Sequence, residues 1–340
     1  MRVKLSLVVM TVILLATVSC NKVDNLKNVV DDDNTVVSSR LLTKAYGDKT
    51  PKLVGYVETN DVNPLNAGDY CLSDTTACFD VVELFAANIN DDGNGDPCIY
   101  FNGHLAPIMA SPATYIQPLQ AKGIKVLLTI LPNWADIGLC TMTSAQAYDF
   151  AEILAYVVNT YGLDGIGFDD EYEGNNYTQV SNSYGNIIYY LHSMLSSDKL
   201  ITVFDYKHTG TSQIFPNAAA CIDYAYTDFS YWNTSSHITG MTKARWAPMS
   251  LQLGYSYSSI YLSYVNYYAS LAASQNYGAI MTFNLRSRCE VDPLPVLQEI
   301  ADGAWSETVI MDPNVPSGIT AGCRPLPAET SGVTITHDDI

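Results

Sequence analysis

Two carboxylates lie close together in the segment 163–172, which reads LDGIGFDDEY. Asp169 and Glu171 are two positions apart, and residues two apart on a strand point to the same side. Two carboxylates this close do not both ionise freely, so we expect one of them to hold a proton near neutral pH. Such a group can act as the general acid that protonates a glycosidic oxygen. A metal site, or a pair of solvated acids in a loop, is the alternative interpretation.

The chain around this segment alternates between predicted strands and predicted helices. Apolar runs indicate eight strands, at 53–58, 81–87, 124–130, 164–169, 200–204, 221–226, 249–253 and 279–283. Helical spacing recurs at 144–160, with Ser144 as the N-cap and Gly162 as the C-cap, and at 184–195, 260–273 and 296–301. Eight such units are typical of an α/β fold of the (β/α)8 TIM-barrel type. An open doubly wound sheet is the alternative, but the sequence has neither a G-x-G-x-x-G motif nor a P-loop to support it.

The alternation within the fourth predicted strand orients its side chains. Ile166 and Phe168 share one face, which we expect to pack outward beneath the helices. Asp169 and Glu171 then point into the mouth of the barrel, at the carboxyl end of the strand. Barrel enzymes carry their active sites at that end.

The chain is predicted to be a single domain with an export signal and a tether in front of it. Residues 1–19 have a basic start and an apolar run, which is typical of a signal peptide. Cys20 follows a small residue, as in a bacterial lipobox, so we expect it to be lipidated; a plain secretory signal is the alternative. Residues 20–50 are a polar, lipid-anchored tether, residues 51–306 the barrel, and residues 307–340 an irregular tail, either coil or a small strand pair. The predicted location is the bacterial outer membrane or the cell surface.

Composition restricts the possible partners. The chain has 17 Lys and Arg against 35 Asp and Glu, a net charge of -18. This excess of negative charge argues against nucleic acid, whereas a neutral carbohydrate is compatible with it. The cysteines after Cys20 match no zinc pattern, and Cys71 and Cys78 are the closest candidates for a disulfide. We predict no cofactor and no metal.

The motif that begins at Asp164, D-G-x-x-x-D-x-E, resembles the D-G-x-D-x-D-x-E signature of glycoside hydrolase family 18. Its flanks, within 161–176, resemble more specifically the endoglycosidase H and F-type endo-β-N-acetylglucosaminidases. Similar segments recur at 55–60, 85–90, 123–128 and 281–285, so the resemblance covers roughly residues 52–304.

This resemblance implies a retaining, substrate-assisted hydrolysis of the GlcNAc-β1,4-GlcNAc core of N-linked glycans. Glu171 would protonate the leaving oxygen and then activate water, while the 2-acetamido group of the substrate attacks its own anomeric carbon. Asp169 would hold the acetamido N–H and stabilise the positive intermediate. The similar segments also imply a set of substrate-binding residues: Tyr56, Glu58, Asn88, Tyr172, Phe229, Tyr231, Phe283 and Asn284.

Two positions near the expected site depart from the family pattern. Gly167 stands where the motif has its middle Asp, which lies beneath the equivalent of Asp169 and helps to set its charge and rotation. Phe229 stands where the family commonly has a tyrosine that binds the acetamido oxygen. Tyr231 or Tyr226 could substitute for that tyrosine.

A third departure is Phe283, which replaces a tyrosine but still offers a stacking face. Together these departures leave two classes of function open. The intact pair of Asp169 and Glu171 favours an exported endo-β-N-acetylglucosaminidase. Gly167 and Phe229 favour a cell-surface glycan-binding protein with weak or no catalysis. A chitinase, or another family 18 activity, is a third possibility.

Overall fold

The computed structural model describes residues 49–135, 137–173, 178–206 and 208–340. The predicted signal peptide, the lipidation residue Cys20 and nearly all of the predicted tether lie outside these residues. Within the described ranges, no helix combines the length and the apolar character that crossing a bilayer requires.

Strands and helices alternate along the described chain. The strands are β1 (Lys52–Glu58), β2 (Tyr70–Leu72), β3 (Val81–Asp91), β4 (Pro97–Phe101), β5 (Lys125–Leu131), β6 (Gly165–Asp169), β7 (Leu200–Asp205), β8 (Tyr224–Thr227), β9 (Trp246–Ala247), β10 (Ser250–Gln252), β11 (Ala279–Phe283), β12 (Val309–Met311) and β13 (Val333–Ile335). The helices are α1 (Leu105–Ala110), α2 (Pro112–Tyr115), α3 (Gln117–Gln120), α4 (Ser144–Tyr161), α5 (Ser183–Met194), α6 (His208–Thr211), α7 (Pro216–Ala220), α8 (Ser259–Ser274) and α9 (Leu294–Trp305).

A nearly closed parallel barrel is the centre of the fold. Among the described strands its order is β10-β11-β1-β3-β5-β6-β7-β8-β9, which confirms the predicted barrel and excludes the open doubly wound sheet. The predicted strand at 249–253 is present as β10, shortened by one residue at each end, and β9 adds a second short piece to that part of the wall, which the sequence did not indicate. β9 pairs with β8, and β10 pairs with β11. Pro248 lies between the pieces and has no N–H to donate to a strand ladder.

The boundaries of two other predicted elements also shift. The predicted sixth strand, 221–226, begins only at Tyr224. The N-cap of α4 is Thr143 and not Ser144, because the Thr143 side chain accepts from the Gln146 backbone and the Gln146 side chain returns to Thr143. This capping box satisfies two otherwise unpaired N–H groups. Gly162 ends α4 in the left-handed conformation, with φ 66°, as predicted.

The barrel wall separates two hydrophobic clusters. Ile166 and Phe168 belong to the larger cluster, between the strands and the helices, and the Phe168 ring lies 5.9 Å from that of Tyr184 in α5. This confirms the predicted outward face of β6. The smaller cluster fills the barrel interior and includes Tyr56 and Phe204.

The tail is more ordered than the sequence indicates. β12 pairs antiparallel with β2, and β13 pairs antiparallel with β4, so the two tail strands extend other strands and do not pair with each other. The guanidinium of Arg324 also holds Asp69 through two hydrogen bonds of 2.7 and 3.0 Å. Since the Asp69 side chain is fully buried, this contact ties the tail to the barrel.

The disulfide lies elsewhere than expected. Cys289 and Cys323 are bonded, with their Cα atoms 5.5 Å apart. Cys71 and Cys78, the candidate pair from sequence, are both buried and are not bonded to each other. The bond therefore links the segment after β11 to the tail.

Candidate active site

Strand β6 brings the motif residues to the two ends of the barrel. Asp164, immediately before β6, accepts hydrogen bonds from the Val126 backbone at 3.0 Å and from Lys125 at 2.9 Å. The first aspartate of the motif thus joins β6 to β5, far from the barrel mouth. A side chain at Gly165 would overlap the Leu200 carbonyl oxygen, so glycine permits the close approach of β6 to β7.

A cavity of about 240 Å³ opens at the carboxyl end of the barrel strands. Its lining includes Tyr56, Glu58, Asp169, Glu171, Tyr172, Phe229, Phe283 and Asn284, all of which the sequence had singled out. Phe85, Phe204, Gln252 and Met281 also line it, although no sequence argument identified them. These four occupy predicted strands, and inward alternation within each strand was the only signal that could have found them.

Two residues from the predicted binding set lie outside this cavity. Asn88 is in β3, and its side-chain amide approaches the Leu131 carbonyl oxygen at 3.5 Å. Tyr231 is 59% exposed, and its ring packs 5.5 Å from that of Tyr261. Tyr231 lines a neighbouring depression instead.

The two motif carboxylates have different environments. Asp169 is almost fully buried, and its Oδ1 accepts the backbone N–H of Glu171 at 2.8 Å. Glu171 follows the strand and is partly exposed to the cavity. This arrangement fixes the start of the loop that carries Glu171 and leaves its carboxyl group facing the space a substrate would fill.

Negative charge converges on the cavity. Burial raises the pKa of the Tyr172 phenol, and the charges of Glu171, Asp169 and Glu58 raise that pKa further. Burial also raises the pKa of Glu58. A carboxyl group with a raised pKa keeps its proton to higher pH, so Glu58 loses its proton at a higher pH than an exposed glutamate does.

Aromatic rings form one wall of the cavity. Phe204 and Phe229 have ring centroids 5.4 Å apart, and Phe229 and Phe283 have centroids 5.1 Å apart. Phe283 is partly buried and lines the cavity. Such rings offer large apolar surfaces at low cost in conformational entropy, a property suited to the C–H faces of a sugar.

The aromatic wall continues into a second depression of about 350 Å³, which we call the aromatic groove. It is lined by Phe229, Tyr231, Ser250, Gln252, Tyr255, Tyr257, Tyr261 and Phe283. Phe229, Gln252 and Phe283 line both spaces. The cavity and the aromatic groove are therefore adjacent, and a ligand longer than one sugar can occupy both.

Neither suggested substitute for the family tyrosine lines the cavity. Tyr226 is fully buried below it, and its hydroxyl donates to Glu83 at 3.4 Å. Tyr231 faces the aromatic groove. Tyr56 does line the cavity, and its buried hydroxyl has no partner among the described residues. Burial raises the pKa of this phenol well above its usual value, so it stays protonated and can donate a hydrogen bond.

The space beside Gly167 is filled from another strand. A side chain at this position would overlap Oε2 of Glu83 and would place its Cβ 2.9 Å from the Glu83 Cδ. Glu83 belongs to β3 and is fully buried. Sequence analysis did not identify Glu83, because a single amino-acid sequence does not show which strand faces Gly167 across the barrel.

The fold and the cavity together define a barrel-type glycoside hydrolase, with an acid at the mouth and a buried carboxylate beside it. Comparison with known proteins identifies the family. Residues 67–249 match the model of the endo-β-N-acetylglucosaminidase EndoS TIM-barrel domain. An endo-β-N-acetylglucosaminidase of Flavobacterium sp. (strain SK1022) is 35% identical over 243 residues, which cover 69% of this chain and 75% of the relative. Endo-β-N-acetylglucosaminidase F1 of Elizabethkingia meningoseptica is 29% identical over 310 residues, 83% of this chain and 88% of the relative.

Solved structures agree with this result. EndoBT-3987 of Bacteroides thetaiotaomicron, crystallised with Man5GlcNAc product, superposes with a TM-score of 0.67 at 28% identity. That match covers 79% of this chain and 64% of the other. The same enzyme with Man9GlcNAc2Asn substrate gives 0.67 at 27% identity, covering 80% and 70%. The chain belongs to the endo-β-N-acetylglucosaminidases of glycoside hydrolase family 18.

Proposed function

We propose that this protein hydrolyses the GlcNAc-β1,4-GlcNAc bond in the core of N-linked glycans, with retention of configuration. The observation that carries the proposal is the convergence of Asp169 and Glu171 on one cavity at the barrel mouth. The names of its relatives point to the same reaction. The adjoining aromatic groove suits a branched glycan that extends beyond the bond to be cleaved.

The proposed mechanism assigns one task to each carboxyl group. Glu171 donates its proton to the glycosidic oxygen as that bond breaks, and the acetamido oxygen of the substrate bonds to the anomeric carbon. The acetamido N–H points to Asp169, whose charge stabilises the positive oxazolinium ring. Glu171 then removes a proton from water, which attacks the anomeric carbon and reopens the ring. Because the nucleophile belongs to the bound sugar, correct positioning supplies a large part of the rate.

The test is incubation with a glycoprotein that carries high-mannose N-glycans, followed by mass measurement of both products. The expected protein product retains one GlcNAc on asparagine. Glu171→Gln should lower kcat by at least about 100-fold, because the amide keeps the shape but supplies no proton. The variant should still bind the released glycan in a calorimetric titration. Equal activity of the variant and the parent would remove Glu171 from the mechanism.

The same experiment tests the alternative, a glycan-binding protein with weak or no catalysis. Phe229 is the feature that favours this alternative, since a phenyl ring has no hydroxyl. Binding of the glycan by the parent without any change in its mass would establish the binding protein and refute the hydrolase.

We further propose that the protein is exported and anchored by a lipid on Cys20 to the bacterial outer membrane or the cell surface. The support is the sequence of residues 1–20, with a basic start, an apolar run and a small residue before the cysteine. Metabolic labelling with an alkyne fatty acid should mark the full-length protein and not its Cys20→Ala variant. Equal labelling of the two proteins would contradict the assignment.

A further inference from the structure

One buried carboxyl group has no place in the mechanism above. Glu83 projects from β3 into the barrel interior, where it accepts hydrogen bonds from Thr202 at 2.6 Å, Thr129 at 3.1 Å and Tyr226 at 3.4 Å. These three described donors are hydroxyls on β7, β5 and β8, and none of them carries a positive charge. Burial of a carboxyl group without a counter-charge is costly. An apolar side chain would fill this position at a lower cost, so the carboxyl group requires a functional explanation.

The position of Glu83 supplies that explanation. Its Oε2 occupies the space into which a side chain at Gly167 would project. Asp169 follows Gly167 by two residues on the same inward face of β6, one level nearer the barrel mouth. Tyr56, on β1, is near both acids, because the charges of Glu83 and of Asp169 each raise the pKa of its phenol. Glu83 therefore lies in the layer directly beneath the cavity and its catalytic carboxylate.

We propose that Glu83 is a positioning residue for Asp169, which supplies from β3 the carboxyl group that the sequence motif lacks at Gly167. The proposal rests on the proposed hydrolysis, in which Asp169 must be charged and correctly rotated. Glu83 holds a proton in the barrel interior, so that Asp169 is the charged member of the pair. An ionised Glu83 would instead repel the charge of Asp169 within a medium of low dielectric constant.

The protonation of Glu83 is consistent with this role. Burial raises its pKa to about 7, although the bonds from Thr202, Thr129 and Tyr226 act in the opposite direction. The ionisable groups that interact with Glu83 are Tyr56 from β1 and Tyr226 from β8, and Asp169 on β6 also interacts with Tyr56. None of these groups carries a positive charge, so Glu83 has no counter-charge among them.

Relocation of the carboxyl group tests the proposal. Glu83→Ala should lower kcat by about 100-fold, the scale of a small misplacement of a reacting group, with little change in KM. Gly167→Asp alone should also lose activity, because the new side chain collides with Glu83. The double variant Glu83→Ala/Gly167→Asp removes the collision and returns a carboxyl group to the same space, so it should recover most of the lost kcat.

The matched control is Glu83→Ala/Gly167→Leu, which fills the same space with an apolar side chain of similar shape. If Glu83 acts only as packing, the Leu variant will recover kcat as well as the Asp variant does, and this result would overturn the proposal. Full kcat in Glu83→Ala, or no recovery in the Asp variant, would overturn it too. If Glu83→Ala does not fold, Glu83→Met replaces it, because Met fills the space without a carboxyl or amide group, and kcat equal to that of the parent would refute the role.

A second measurement separates this inference from the proposed hydrolysis. Infrared difference spectra between the parent and Glu83→Gln at pH 5 should contain the C=O band of a protonated carboxyl group, which should disappear at pH 9. Activity of the parent tests the hydrolase, whereas this band tests the proton on Glu83 even in an inactive protein. Absence of the band at pH 5 would refute the proton-holding role.

Discussion

Replacement of Glu83 by glutamine should change how the stability of the protein depends on pH. The pKa of Glu83 is about 7 in the folded protein, against 4.5 for the ordinary side chain. A group with a raised folded-state pKa contributes stability that is complete below pH 4.5 and is lost as the pH rises through 7. At 1.36 kcal/mol per pKa unit, the contribution lost between pH 5 and pH 8 is about 2.5 kcal/mol. Glutamine does not ionise and avoids this loss.

The assay is urea unfolding of the parent and of Glu83→Gln at several values between pH 5 and pH 8. Relative to the variant, the parent should become less stable by about 2.5 kcal/mol over this range, because the other carboxyl groups cancel in the difference. Glu290→Gln, at an exposed surface position, is the control for the general effect of removing one negative charge. It should show no comparable slope. A pH-independent difference between the parent and Glu83→Gln would refute the reasoning that the interior raises this pKa.

Two further predictions concern the aromatic groove and the tail. Tyr255→Ala should raise KM for a branched glycan about fivefold, the equivalent of about 1 kcal/mol of aromatic contact. Tyr267→Ala should leave KM unchanged, since Tyr267 is similarly exposed, at 56% against 59%, but does not line the groove; equal effects in steady-state kinetics would count against a role of the groove. Asp69→Asn should cost about 3–5 kcal/mol in urea unfolding, because it leaves Arg324 without its buried partner. Asp61→Asn, in an exposed ion pair, should cost about 0–1 kcal/mol, and similar losses for both would show that the tail contact is not the stabilising one.

The fold was predictable because its signals are local. Each barrel strand is a short apolar run, and β6 places Ile166 and Phe168 on one face and Asp169 on the other. The same period of two residues put Asp169 and Glu171 at the barrel mouth. The wall at β9 and β10 was harder to predict, because Pro248 interrupts a strand whose two pieces pair with different neighbours.

The tail and the aromatic groove depend on contacts between distant parts of the chain. β13 is only three residues long, too short for a pattern to mark it, and its pairing with β4 makes it a strand. The groove combines Tyr231 and Tyr255 from loops with Tyr261 from α8. Tyrosines spaced along a helix have the same pattern whether they pack inward or line a groove, so the sequence could not assign them.

Glu83 changes the interpretation of the motif itself. The run Val81–Phe85 reads as an ordinary apolar strand with one acid on its inward face, and Gly167 reads as the loss of the acid that positions Asp169. In the folded chain the two positions are one contact, in which the large acid on β3 fills the space that the glycine on β6 leaves. A complete motif would place one carboxyl group beneath the cavity, at position 167. Here Glu83 places a carboxyl group in that space from a different strand. A departure from a linear motif argues against catalysis only when the space beside it is empty or apolar, and the space beside Gly167 contains an acid.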